Sequence, residues 1–451
     1  MPPDHITILG GGPAGLAAGY FAAKRALPFT IFEAMGRYGG NAVTLQHGDF
    51  RFDTGAHRFH DKDPEMTMEV QALLGPELLK INLPSNIFYQ GKLLDFPLSA
   101  VSLMRSLSLP FLVRAGWDLL RERLRPEPDR ANFESATVHK YGRTISQPFL
   151  LDYSEKLWGL PSQQLSVQIS GSRLKGLTPS MLLREIVLGA SAKPAHMEGD
   201  FYYPRMGYGA IMDRLADVCG RENIRLGSPV SGIHHNDTRI SAISTASGER
   251  LPVTTMINTI PITSFFRALD PRAPQQYVDI ARSLRFRNLV LVVLFLDAAQ
   301  VTTSATAYFP ETRFPFTRLY EPINRSRMMA PEGKTSLCVE IPCYAADDVW
   351  KSEDAALVDM TSSHLESIGW VDRSKLIGSQ VLRLSHAYPV LEAGFEAKIQ
   401  MLLDYLARFS NLKVIGRNGR FVYKHVHDML RFGHDVIEEL EQPAPTTAAL
   451  S

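Results

Sequence analysis

The run Ile6-Thr7-Ile8-Leu9-Gly10-Gly11-Gly12-Pro13-Ala14-Gly15, then an Ala-rich stretch to Ala26, then Phe29-Thr30-Ile31-Phe32-Glu33, decides the fold of this 451-residue chain. Ile6 to Leu9 is a short apolar run of β-formers ending in glycines, the pattern of a buried strand. Ala14 to Ala26 has helical composition, and Phe29 to Phe32 is a second apolar strand. Strand, glycine turn, helix and strand within about thirty residues make a βαβ unit, which implies a parallel sheet. Gly10, Gly12 and Gly15 form GxGxxG in that turn. They permit the tight turn, close backbone approach to a pyrophosphate and close helix packing, with the helix N-terminus facing the phosphates. Glu33 ends the second strand 18 residues after Gly15, where a carboxylate accepts hydrogen bonds from ribose hydroxyls and repels a 2′-phosphate. Alone, GxGxxG is a weak signal. In this context it predicts a dinucleotide site rather than an empty glycine turn.

Hydrophobic residues make up 45% of the chain and charged residues 21%, an ordinary globular balance with length for more than one substructure. With 48 basic and 47 acidic residues the net charge is +1, which lacks the basic footprint of nucleic-acid binding. Cys219, Cys338 and Cys343 contain no CxxC pair, so neither a disulfide framework nor a metal site is expected, and a reducing, cytoplasmic setting fits. The N-terminus runs straight into a strand without a basic, cleavable leader, and no run of roughly 18 apolar residues occurs.

Further along, Ile87-Phe88-Tyr89, Gln90-Gly91-Lys92 and Leu93-Leu94 predict a β-hairpin. Residues 98–125 read as helical, broken at Pro110, and 131–195 again favour helices. Residues 230–260 read as short strands and turns. Leu289 to Leu296 is the strongest β run, and Glu392 to Arg408 predicts a helix leading into a strand at Leu412 to Ile415. The tail after Gln442 is expected to fray. Leu103 to Leu124 carries Arg105, Arg114, Arg121 and Arg123 among leucines. It has two readings: a core-packing helix with a solvated face, which is the commoner case, or a membrane-surface helix.

Arg37, Gly39 and Gly40 follow Glu33 as an Arg-x-Gly-Gly turn. This resembles the second signature of glutathione-reductase-like FAD proteins, a group that includes amine oxidases, protoporphyrinogen oxidases, phytoene desaturases and UDP-galactopyranose mutases. The resemblance selects FAD as cofactor and implies that a strand around Val230 and a turn at Asn258 to Pro261 close the same domain. Phe52-Asp53-Thr54-Gly55-Ala56-His57-Arg58-Phe59-His60 resembles the Gly-x-His-x-Phe-His segment of UDP-galactopyranose mutases. Phe149, then Tyr153-Ser154-Glu155-Lys156-Leu157-Trp158-Gly159, is similar to their nucleotide-binding helix, whose aromatic residues contact the uridine. Arg173 and Pro315-Phe316-Thr317-Arg318 resemble their diphosphate arginines. Tyr388-Pro389, Gly416-Arg417-Asn418-Gly419 and Tyr423 resemble their return to the flavin, where the arginine contacts FAD and the tyrosines contact the sugar diphosphate. The matches keep the same order from residue 6 to about 430. The chain departs from the family at His425, where an aspartate is usual, and at Asn418 and Arg420.

Together these give an α/β protein: a glutathione-reductase-like FAD-binding Rossmann domain with a helical insertion and a mixed β-sheet substrate domain. The expected segments are 1–80, 206–265 and 391–442 for the FAD domain and 81–205 for the hairpin and helical insertion. Residues 266–390 form the mixed sheet and 443–451 a flexible tail. The expected cofactor contacts are Gly10, Gly12, Gly15, Glu33, Arg37, Gly39, Gly40, Val230 and Arg417. The expected substrate contacts are Phe149, Tyr153, Trp158, Arg173, Arg318, Tyr388 and Tyr423, with His60, Arg318, Tyr423 and His425 as catalytic candidates. Each aromatic also reads as plain core, Arg318 as a solvated loop arginine, and His57 and His60 as structural histidines. The resemblance implies rearrangement of a nucleotide-linked sugar, pyranose to furanose, through N5 of reduced flavin, with a reductant such as NAD(P)H as a candidate partner. A net oxidation of protoporphyrinogen-oxidase or amine-oxidase type is the alternative, and a non-catalytic binding module a third.

Overall fold

The computed structural model describes residues 3–126, 132–170 and 200–442. Ile6–Leu9 is the central strand of a five-stranded parallel sheet, ordered Leu412–Val414, Thr255–Asn258, Ile6–Leu9, Phe29–Phe32, Ile224–Arg225. All four residues of Ile6–Leu9 are buried, which is why the strand reads as a continuous apolar run rather than an alternating one. Strands from the beginning, middle and end of the chain therefore build one layer. The helix Pro13–Lys24 starts with proline in its first turn, where the missing N–H costs nothing. The last helix, Val426–Glu441, packs along it. A Cβ on Gly433 would sit 2.6 Å from the Ala17 carbonyl carbon, so this close approach needs glycine.

A second, seven-stranded mixed sheet runs Leu376–Pro389, Phe286–Leu296, Thr335–Cys343, Arg318–Tyr320, Ala307–Tyr308, Ser85–Tyr89, Lys92–Phe96. The predicted strand at 289–296 begins three residues earlier, at Phe286. The hairpin turn falls at Gln90-Gly91 as the sequence implies, but the grouping of 81–205 needs correction. Asn86 and Ile87 pair in parallel with Ala307 and Tyr308, so the hairpin belongs to the mixed sheet. An isolated two-stranded hairpin cannot bury enough surface to stand alone. The boundary at 80/81 also cuts the strand Leu78–Asn82, which pairs with Asp200–Pro204.

The helical unit comprises Ala100–Ser106, Leu109–Arg123, Phe133–Tyr141 and Asp152–Trp158. Pro110 does not break a helix. It occupies the first turn of Leu109–Arg123, and the break falls at Leu107 and Ser108. This helix packs Ala115 inward, but Leu109, Val113, Trp117, Leu120 and Leu124 face solvent, where a core-packing helix would be polar. The helical reading of 171–195, Arg173 and the tail 443–451 lie outside the described residues.

Candidate active site

The first glycine turn and the second are built against each other. Gly10 has φ +99°, and a Cβ on Gly15 would lie 1.8 Å from the Gly10 carbonyl oxygen, so the helix can start this close to the strand only with glycine there. Gly39 donates its N–H to the Gly11 carbonyl at 2.7 Å. Arg37 Nη1 donates to the Gly40 carbonyl at 2.6 Å. Gly15, Arg37 and Gly39 thus shape the turns on which Gly10, Gly12 and Gly40 line a cavity.

The wall they shape encloses a cavity of about 2090 Å³. Pockets for drug-sized ligands run about 300–1,000 Å³, so there is room for a dinucleotide and a second ligand together. Gly10, Gly12, Glu33, Gly40 and Val230 line one part. A Cβ on Gly12 would meet only Gly40 Cα, at 4.0 Å, so the space beside this helix N-terminus is open. The buried Glu33 carboxylate accepts from Gly11 N at 2.7 Å and Met35 N at 2.8 Å, and a carboxylate retains lone pairs for ribose hydroxyls. Arg417 Nε and Asn418 Oδ1 are buried without a partner, and both residues line the cavity. An open helix N-terminus, a buried acid and unmet polar atoms fit FAD.

The remaining wall is aromatic and basic. Phe149 lies on a π-helical turn, Gln147–Leu151, and its ring is 4.8 Å from that of Tyr89. Tyr153 stands edge-on to Tyr308 at 5.9 Å. The helix Asp152–Trp158 stops at Gly159 in the left-handed region. Arg287 donates to the last carbonyls of Lys156 and Leu157, and the Tyr344 hydroxyl to that of Trp158. These satisfy groups a helix end otherwise leaves bare. Lys156 Nζ donates to the carbonyls of Phe309, Glu311 and Phe314, which bolts the helix to the loop before Arg318. Burial pulls Lys156 down to about 7, although three carbonyl acceptors suit the ammonium form. The Trp158 ring, so anchored, stands edge-on to Tyr388 at 6.0 Å and Tyr423 at 5.5 Å.

Arg318 faces Glu340 across the sheet. Its Nε donates to Glu340 Oε2 at 2.6 Å and its Nη2 to the Tyr388 hydroxyl at 2.9 Å. Burial works against the guanidinium charge, but Glu340 together with Tyr388, Tyr153 and Tyr308 outweighs it and raises the pKa. Burial also pushes the Tyr388 phenol up, so it stays protonated. Arg417 lies over Tyr388 at 5.0 Å and Tyr423 at 4.9 Å. Burial lowers its pKa, and no carboxylate pairs with it among the described residues.

His57 Nε2 lies 2.8 Å from the Asn41 carbonyl, which only accepts, so Nε2 carries the proton. Burial holds His57 down to about 3 and His60 to about 4, so both are neutral near pH 7. His425 sits at the cavity rim as N-cap of Val426–Glu441. Its N–H donates to Asp428 Oδ2 at 2.8 Å, and its side chain accepts in return from the Asp428 backbone. A structural duty therefore accompanies its reading as an acid–base group. Sequence reasoning missed Glu340, Tyr308 and the positioning roles of Lys156 and Arg287. For Glu340 a signal existed: an acid inside the apolar run Leu337-Cys338-Val339-Glu340-Ile341 can stay charged only if paired.

Residues 13–375 match the family model described as flavin containing amine oxidoreductase. The chloroplastic protoporphyrinogen oxidase of Nicotiana tabacum is 30% identical over 125 residues, 27% of this chain and 22% of that protein; the chain thus spans about a fifth of that relative's length. A crystal structure of reduced UDP-galactopyranose mutase superposes with TM-score 0.85 at 19% identity, covering 98% of this chain and 95% of the other. Cyclohexylamine oxidase from Brevibacterium oxydans superposes with TM-score 0.68 at 15% identity, covering 98% and 100%. At these identities the superpositions establish the fold.

Proposed function

This chain belongs to the flavin-containing amine oxidoreductase family and is an FAD-dependent flavoenzyme; from that premise we propose that it rearranges a nucleotide-linked sugar, as UDP-galactopyranose mutases do. The observation that carries this reading is the wall at Trp158, Tyr388 and Tyr423 with Arg318 and Arg417 set among the rings. A nucleoside diphosphate needs an aromatic face for its base and guanidinium groups for its phosphates. The cavity volume left beyond a dinucleotide supports a second ligand of that size.

In this reading Arg318, held by Glu340 and Tyr388, is oriented before substrate arrives, so its Nη1 meets the diphosphate without reorganising. Trp158 and Phe149 flank the base, and Tyr423 and Tyr388 donate phenolic protons to the sugar diphosphate. Arg417, whose Nε is buried without a partner, would help to hold the flavin. Neutral His60 beside the cavity excludes a competing positive charge. Reduced FAD supplies the nucleophile for covalent catalysis of this kind.

A second reading, net oxidation of a small molecule, draws support from the tobacco protoporphyrinogen oxidase similarity and from Glu340, which already neutralises Arg318. The test is anaerobic incubation of reduced protein with a panel of nucleotide sugars, followed by product analysis. Many turnovers per flavin without oxygen consumption, and none by oxidised protein, are expected. Stoichiometric bleaching of oxidised flavin by a substrate would instead establish the oxidoreductase. His425→Asp sharpens the choice, because aspartate is an equally good N-cap. An enzyme using His425 for proton transfer loses roughly 10²-fold or more in rate, whereas the mutase tolerates the change.

A further inference from the structure

The helix Leu109–Arg123 has two apolar faces where a surface helix has one. Ala115 is turned into the protein and Phe111, Leu112 and Leu119 are partly buried. On the other side Leu109 is 72% exposed, Val113 65%, Trp117 67%, Leu120 55% and Leu124 80%. At 3.6 residues per turn these five fall within a sector of about 80°, and they run about 22 Å along the axis. Arg114 and Arg121 border the stripe on one side and Arg123 on the other, with Arg105 exposed on the preceding helix. Among the described residues, the carboxylates of this helix are engaged elsewhere. Asp118 accepts from the backbone and hydroxyl of Thr144. Glu122 is buried and paired with Arg125.

From this juxtaposition we infer that the helix Leu109–Arg123 seats the protein on an anionic lipid surface, with the Leu109–Leu124 stripe in the acyl boundary and the arginines at the headgroups. An apolar stripe with an interfacial tryptophan and flanking arginines is the chemistry such a surface recognises. A second copy of the chain fits less well. Two such stripes packed face to face bring arginine borders together, and neither Asp118 nor Glu122 of the same helix is free to pair with them. The inference does not depend on the identity of the substrate.

The test is flotation of the full-length, FAD-loaded protein with vesicles of pure phosphatidylcholine and with vesicles of equal parts phosphatidylcholine and phosphatidylglycerol, at low and high salt. Binding is expected to the mixed vesicles and to weaken with salt. The triple variant Arg114→Gln/Arg121→Gln/Arg123→Gln should lose on the order of 10²-fold in partitioning. Val113→Ser/Trp117→Ser should lose about tenfold or more. Flavin content, which reports folding, should stay unchanged in both. Absence of wild-type flotation with mixed vesicles at low salt overturns the inference, as does wild-type flotation by both variants. A dimer in sedimentation equilibrium that Trp117→Ser dissociates, without vesicle binding, assigns the stripe to a second copy and likewise overturns it.

Discussion

Replacing Arg417 by Met distinguishes a cation that holds the fold from one kept for a ligand. Among the described residues Arg417 makes one hydrogen bond, Nη2 to the Ala387 carbonyl at 2.9 Å, and lies over two tyrosine rings. A hydrogen bond from a charged group contributes about 1.5–3 kcal/mol and each such ring contact about 0.5–1. Against these stand the unpaired Nε, which costs about 1–3 kcal/mol, and the desolvation of a guanidinium with no paired carboxylate. The opposing contributions are of similar size, and methionine fills much of the volume. Urea denaturation of the flavin-free protein should therefore shift by no more than about 1 kcal/mol. With FAD bound, the same change would remove the contact proposed for the free N–H. FAD affinity, followed by flavin fluorescence quenching, should fall on the order of 10²-fold, the equivalent of about 1.5–3 kcal/mol. A flavin-free protein destabilised by more than about 3 kcal/mol with unchanged FAD affinity would refute the reasoning, because Arg417 would then be a structural cation.

Gly12→Val should leave the flavin-free fold intact, since its Cβ meets only Gly40 Cα at 4.0 Å, yet yield colourless protein; Gly15→Ala, whose Cβ would lie 1.8 Å from Gly10 O, should fail to fold. Flavin absorbance and circular dichroism separate the two outcomes. Trp158→Ala and Arg318→Ala should each weaken nucleoside diphosphate binding in calorimetry, the arginine by about 1.5–3 kcal/mol; unchanged affinity in both removes the basis of the nucleotide-sugar reading. His57 has a folded pKa of about 3, below the roughly 6.5 of an unfolded histidine. Its contribution to stability is fully present above about pH 6.5 and is lost as pH falls toward 3, at about 1.4 kcal/mol per pH unit. Urea midpoints at neutral and mildly acidic pH should show a shallower slope in His57→Gln; an unaltered slope places the titration elsewhere.

The amino-acid sequence determined what local chemistry can express. The first βαβ unit was legible because a strand buried on both faces must be continuously apolar and a helix start pressed against a strand must be glycine. The hairpin at Gln90-Gly91 and the strand near Leu289 were legible for the same reason. So were the aromatic and arginine residues of the cavity wall, through a resemblance spread along the chain. Only the tertiary structure decided how those pieces share space. The hairpin joins the mixed sheet because its open edge needs Ala307 and Tyr308, residues nearly half the chain away. Arg318 is neutralised because cross-strand register sets Glu340 opposite it, and register depends on pairing rather than on spacing in the chain. Arg37 and Gly39 bond to neighbouring backbone, a role that their motif alone does not show. The stripe from Leu109 to Leu124 looks like core in one dimension, since an amphipathic pattern records how many faces are apolar but not which one the fold covers.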